Sequence, residues 1–175
     1  MGKIWTSRFS NKQLETGNYT VVGIVRSMPK FHVRYRIAGN IIDIAPTWAL
    51  FREDDRERFT TPYKKHLDSV GLSRIAGQIQ KYVDIYPDHD VVLCCYEDVR
   101  IPNEWCHRLV FSEWWMEKTG QVIEELPDPS DPKIPGKTNA KPVEEVKQPE
   151  RPKEKYEQLS FMDDLYRQMY PYYRT

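Results

Sequence analysis

Several things are scarce in this chain of 175 residues, and each scarcity removes a class of protein. There are only three cysteines, an odd number, so a disulfide-stapled secreted scaffold is not expected. Residues 1–10, MGKIWTSRFS, have no signal-peptide pattern. No apolar run approaches the roughly 18–20 residues that a membrane-spanning helix needs. The chain also lacks net charge: Lys plus Arg and Asp plus Glu both number 26, so no global field draws it to nucleic acid or membrane. A cytoplasmic protein with free thiols and no membrane partner is the expectation. Neither Cys-x-x-Cys nor His-x-x-x-His spacing occurs. Cys95, Cys106 and His107 are ligand types without a ligand motif, so no metal is assigned and no cofactor is identified.

What is present divides the chain in three. Residues 1–126 carry strand and helix signals and all five tryptophans, enough to bury a core without staples. Residues 127–155 hold seven of the 13 prolines, no aromatic residue and mixed lysine and glutamate, which reads as a disordered linker. Apolar residues return in 156–175.

Strands are expected at residues 3–6 (KIWT), 20–25 (TVVGIV), 41–45 (IIDIA), 91–95 (VVLCC) and 121–126 (QVIEEL). Pro62 suits the first turn of a helix. Leu72, Ile75, Ala76, Ile79 and Val83 recur at helical spacing, so 72–85 reads as an amphipathic helix. Asn103 is a natural N-cap for a helix running to about Lys118, stopped by Gly120. Strands alternating with helices predict an α/β domain: a mostly parallel sheet with helices on both faces.

The chemistry gathers in VVLCCYEDVRIPNEWCHR, residues 91–108. A buried-type strand ends in Cys94, Cys95 and Glu97, and a short loop leads into Cys106, His107 and Arg108. Ligands bind at such strand-to-helix junctions in α/β proteins. Near a helix N-terminus, Cys106 gains from free N–H groups and the macrodipole as a thiolate. The same groups, with Arg108, suit a substrate phosphate. Side chains of adjacent helical residues diverge by about 100°, so Cys106 and His107 are not expected to pair closely. Glu97, at the strand end, is the better proton carrier. Cys94 reads as a core residue, and an Arg108–Glu97 ion pair is the structural alternative to a phosphate role.

Cys-x-Glu followed after about ten residues by Cys-His-Arg resembles the family called domain of unknown function 488. The blocks IWTSRFSN, VGIVRSMPKF and IAPTW resemble that family's successive N-terminal blocks, so the likeness covers residues 3–126. The shared positions are Arg26, Pro29, Cys95, Glu97, Cys106, His107 and Arg108. Where commoner members carry Asp-Val-Arg, this chain has Ile24-Val25-Arg26. The resemblance implies an α/β fold with these groups at one edge and supplies no reaction.

Arg26 ends its strand as Cys95 and Glu97 end theirs, which in a parallel sheet places both sets at one edge. Lys30, His32, Arg34 and Arg36 follow, interleaved with Phe31 and Tyr35, a pattern suited to phosphate contact and base stacking. In the tail, Gln158, Leu159, Ser160, Phe161 and Met162 resemble the bacterial sliding-clamp-binding peptide, in which apolar anchors fill a groove and the glutamine sets register. The structural alternative is a helix over 159–170 that folds back on the domain.

These readings point to DNA metabolism. The leading expectation is an enzyme on a nucleotide or nucleic-acid substrate. In it Arg26 and Arg108 hold phosphate, Glu97 is acid or base, Cys106 or Cys95 is nucleophile with His107 nearby, and the tail reaches a sliding clamp. The alternatives are a non-enzymatic adaptor or inhibitor of the clamp or another partner, and a nucleotide sensor.

Overall fold

The computed structural model describes residues 2–134. Five strands form one all-parallel sheet: β1 (Ile4–Arg8), β2 (Tyr19–Gly23), β3 (Ile37–Asn40), β4 (Asp90–Cys95) and β5 (Glu124–Glu125), in the order β3-β2-β4-β1-β5. Three α-helices complete it: α1 (Arg56–Val70), α2 (Leu72–Ile85) and α3 (His107–Thr119). No helix among the described residues is long and apolar enough to cross a membrane.

Side-chain alternation along the strands builds two cores. Val91 and Leu93 of β4, with Val22, Ile24 and Ile4, face α1, α2 and α3 in one cluster containing Tyr63, Ile79, Trp114 and Trp115. Val92 and Cys94 face the opposite way, with Val21, Phe9 and Leu14. Leu14 belongs to a 3-10 turn at Lys12–Glu15, so helices cover both faces unequally: three α-helices on one, this turn and loops on the other.

The stripe at 72–85 forms α2 as expected, burying Ile75, Ala76, Ile79 and Val83. Other expectations need correction. Residues 41–45 are not a strand but turns, with Ile44 N–H donating to the Ile41 carbonyl and Ala45 N–H to that of Ile42. Ile41, Ile44 and Ala45 are buried while Ile42 is 41% exposed, a helical-turn spacing that a short apolar run disguises as a strand. The third strand lies just before, at Ile37–Asn40. Pro62 is the seventh residue of α1 instead of a first-turn residue, because Asp55 caps the helix by accepting from Arg58 N–H. The charged stretch 52–66 masks the stripe Phe59, Tyr63, Leu67 at steps of four, all buried. The last strand shortens to Glu124–Glu125, although Leu126 N–H still bonds the Thr6 carbonyl.

The start of the expected linker is held to the domain. Arg8 binds Asp98 at 3.2 Å and Asp128 at 2.7 Å, and Arg100 donates to the carbonyls of Asp128 and Ser130. Charge, not apolar burial, anchors this stretch, which is why composition does not reveal it. The tail residues Gln158, Leu159, Phe161 and Met162 lie outside the described residues.

Candidate functional site

The sheet order creates the site. β2 and β4 are neighbours, with Gly23 beside Cys94. From β2 the chain runs on to β3 on one side of the sheet; from β4 it runs through α3 to β5 on the other. Their carboxyl ends therefore part and open a crevice, the topological switch point where α/β proteins bind ligands. Arg26 follows one strand and Glu97 the other. The loop after Glu97 returns Cys106 and His107 to the same place.

Four groups converge there. Cys95 Sγ lies 3.0 Å from Glu97 Oε2, and Cys106 Sγ lies 2.8 Å from the same oxygen. His107 Nδ1 is 3.6 Å from each sulfur. On its far side, His107 Nε2 is 2.8 Å from the Ile24 carbonyl oxygen. A carbonyl only accepts, so Nε2 carries the proton and donates it, which aims the Nδ1 side of the ring at the sulfurs. The Tyr63 ring meets the imidazole edge-on at 5.9 Å and fixes its plane.

The expected divergence of Cys106 and His107 does not occur. Asn103 is not the cap: it sits in a turn at φ 68°, and Glu104 N–H bonds back to the Ile101 carbonyl. Cys106 is the N-cap residue, with extended backbone (φ −146°, ψ 149°). Outside the helix its side chain is freed from helical geometry, so Sγ swings beside the imidazole that follows it. Its thiol makes no capping bond to the helix.

Burial sets the electrostatics. Burial alone would push the Cys106 thiol up, but the hydrogen bond from Cys95 and the charges of His107 and Arg108 outweigh it and hold it well below the ordinary thiol range. The Cys95 thiol moves well above, first because its proton is engaged with Cys106 and then by burial. Burial and the neighbouring Cys106 charge raise Glu97. For His107, burial opposes the charge, yet the Cys106 anion wins and raises it. One thiol thus carries negative charge easily while its neighbour holds a proton. Cys94, fully buried, is pushed up by burial and takes no part.

These groups floor a cavity of about 550 Å³, lined also by Arg26, Trp48, Phe51, Tyr96 and Trp105. Cys95, Cys106 and His107 are buried, and Glu97, exposed as a residue, buries its carboxylate end where Oε2 reaches in to the sulfurs. Arg26 donates from Nε to the Pro46 carbonyl at 2.5 Å and from Nη2 to the Ala45 carbonyl at 3.3 Å. Both partners are neutral, so its positive charge persists on the cavity wall. Trp48 and Phe51, 67% and 62% exposed, stand edge to face at 5.7 Å. Trp105 is locked by its Nε1–H on the Asp54 carbonyl and by its packing on Phe59.

Arg108 does not line the cavity. It is fully buried and forked onto Glu125, with Nε at 3.1 Å from both carboxylate oxygens and Nη2 at 2.8 Å from Oε1. Its partner is therefore Glu125 and not Glu97, and it acts on the site through its charge. Lys30, His32, Arg34 and Arg36 are exposed and also lie outside the lining.

Sequence reasoning missed the wall residues Trp48, Phe51, Glu53, Asp54, Glu104 and Trp105. The available signal was Pro46, after which the chain exposes two large aromatics that a core helix would bury. The floor and one wall thus come from sequence blocks far apart in the chain. Comparison with known protein families, with curated proteins and with solved structures finds no match to this chain.

Proposed function

We propose that this protein is an enzyme of DNA metabolism whose substrate is a nucleotide or nucleic acid, entering the crevice at the carboxyl edge of the sheet. One observation carries this: two thiols, an imidazole and a carboxylate converge at the floor of a ligand-sized cavity whose wall bears a cation and exposed aromatics. About 550 Å³ is within the range of small-molecule sites, roughly 300–1,000 Å³.

The wall argues for the substrate class. Trp48 and Phe51 offer faces for a planar base. Arg26, whose Nε and Nη2 bond the Pro46 and Ala45 carbonyls, offers a phosphate a charge-assisted hydrogen bond from Nη1. Glu53, Asp54 and Glu104 make the rest of the lining acidic, which disfavours a polyanion across the whole mouth and favours the amino groups of a base on that side. A single phosphate at Arg26 with the base inward satisfies both. Glu97, touching both sulfurs and the open mouth, is the group placed to move protons.

Fluorescence titration of the full chain with nucleosides and nucleoside monophosphates tests this reading. Arg26→Ala should weaken monophosphates about tenfold or more and leave nucleosides unchanged, the loss of one charge-assisted hydrogen bond. Trp48→Ala should weaken both, since base stacking is worth about 1–3 kcal/mol. Wild-type protein that ignores every nucleoside and nucleotide would sink the reading.

The motif Gln158-Leu159-Ser160-Phe161-Met162 supports delivery to a bacterial sliding clamp. A peptide covering 156–170 should bind a clamp with micromolar affinity, as short segments that order on binding do. Gln158→Ala with Leu159→Ala should cost at least about tenfold, or 1.4 kcal/mol. Equal binding by the double variant would make the motif a coincidence. Clamp binding without any nucleotide binding would instead favour the adaptor reading.

A further inference from the structure

Cys95, Cys106 and His107 form more than a hydrogen-bonded cluster. We infer that they are the three protein ligands of one zinc-class divalent ion, whose fourth position faces the cavity and Glu97. The inference rests on reading this cavity as the active site, and it supplies that site's reagent.

Geometry carries it. The two sulfurs and one histidine nitrogen lie within 4.8 Å of one another. Zinc–sulfur bonds of about 2.3 Å and zinc–nitrogen bonds of about 2.0–2.1 Å, at a tetrahedral angle, separate sulfur from nitrogen by about 3.6 Å. Both observed sulfur–Nδ1 distances are 3.6 Å. The imidazole is prepared for the role: Nε2–H is spent on the Ile24 carbonyl, as histidine ligands are oriented by a backbone or carboxylate acceptor. Nδ1 therefore faces the point the sulfurs share, and a metal ion binding there takes the place of any proton on it. Two thiolates with one imidazole also neutralise a divalent cation, which suits a buried site.

Glu97 is not the fourth ligand. A carboxylate oxygen bound to the same ion would stand about 3.5 Å from each sulfur, given metal–oxygen bonds of about 2.0–2.2 Å. Its Oε2 stands at 2.8 and 3.0 Å, the distances of hydrogen bonds accepted from the metal-free thiols, and its side chain reaches the open cavity. The residue set is that of a catalytic centre, with three protein ligands, a fourth position left to water and an adjacent carboxylate. Two cysteines, one histidine and a non-ligating glutamate are also the groups that zinc-dependent base deaminases use. The reaction class is hydrolytic. Bound water gives one proton to Glu97 and the resulting hydroxide forms a bond to the substrate's electrophilic carbon. The bond to the leaving group then breaks, and that group departs with the proton held by Glu97. The elements of one water end in the products, and no oxidant or reductant is used.

Zinc titration of the chelator-treated full chain against a competing chelator, together with cobalt substitution, tests the assignment. One ion per chain is expected, with a sulfur-to-cobalt charge-transfer band and the visible bands of a tetrahedral ion. Cys95→Ser, Cys106→Ser and His107→Ala should each weaken zinc at least a hundredfold. Cys94→Ser should not change it, and Glu97→Gln should keep both stoichiometry and spectrum. No zinc uptake by wild-type protein overturns the inference, and so does uptake unchanged in Cys95→Ser and Cys106→Ser. Circular dichroism of each variant separates ligand loss from unfolding, and the wild-type titration decides even where a variant misfolds. Nucleotide binding that persists without zinc uptake leaves the cavity reading standing and removes only the metal. One bound zinc with no nucleotide binding does the reverse.

Discussion

Replacing Glu125 by alanine is expected to destabilise the domain by about 3 kcal/mol or more, read as a shift in the urea midpoint at unchanged slope. Arg108 is the reason. Its guanidinium is fully buried, and Glu125, through two oxygens, is the anion in contact with it. Nη1 already has no hydrogen-bond partner among the described residues, so the fork on Glu125 carries the compensation. Position adds to the cost. Arg108 is in the first turn of α3, where the positive end of the helix dipole repels a cation. Thr6 Oγ1 donates to Glu125 Oε2 at 2.9 Å and would be left with only the Glu124 carbonyl at 3.4 Å. Replacing both partners, Arg108→Met with Glu125→Leu, should recover most of the loss, since it removes the buried Arg108 charge that Glu125→Ala leaves unpaired. A Glu125→Ala midpoint within about 0.5 kcal/mol of wild type would mean that Arg108 finds another partner or water, and the argument would fail.

Asn11→Ala should cost about 2–4 kcal/mol, the second largest effect, because one buried amide serves four partners. Its Nδ2 donates to Ser7 Oγ at 2.9 Å and to the carbonyls of Leu126 and Pro127, each at 3.2 Å. Its Oδ1 accepts from Gln13 N–H at 2.8 Å and caps the 3-10 turn. The side chain thereby ties the end of β1 to the chain leaving β5. Asn11→Asp should be nearly as harmful, since a carboxylate keeps the cap but cannot donate to three oxygens. Hydrogen exchange gives a local readout: protection of Leu126 N–H, which bonds the Thr6 carbonyl, should fall more than that of β4. Equal protection across the sheet would show that Asn11 is not the tie.

Much of the fold was legible because the relevant signals are local. The run at 91–95 is continuous and apolar since β4 lies at the centre of the sheet, covered on both faces. The α2 stripe repeats at 3.6 residues and nothing interrupts it. Arg26, Cys95, Glu97 and Cys106 could be assigned to one edge because parallel strands send their carboxyl ends the same way. The short run at 41–45 misled for the opposite reason: four apolar residues around Asp43 fit a strand or a helical turn equally, and only the packing of Ile41 and Ile44 in the cluster under α1 and α2, with Ala45 buried beside them, separates the two.

The sequence by itself determined the class of fold, the junction where the candidate site lies, and the kinds of group gathered there, since periodicity and residue type are properties of neighbouring positions. Only the tertiary structure decided the partners. It gave Arg108 to Glu125, which pairing of β5 with β1 brings within reach, and so removed Arg108 from the cavity. It made Cys106 the cap residue, whose extended backbone turns Sγ beside the imidazole. It aimed Nδ1 at both sulfurs through a carbonyl 83 positions away, at Ile24. Distances between side chains depend on strand order and on where a helix begins, and neither is written in residue spacing.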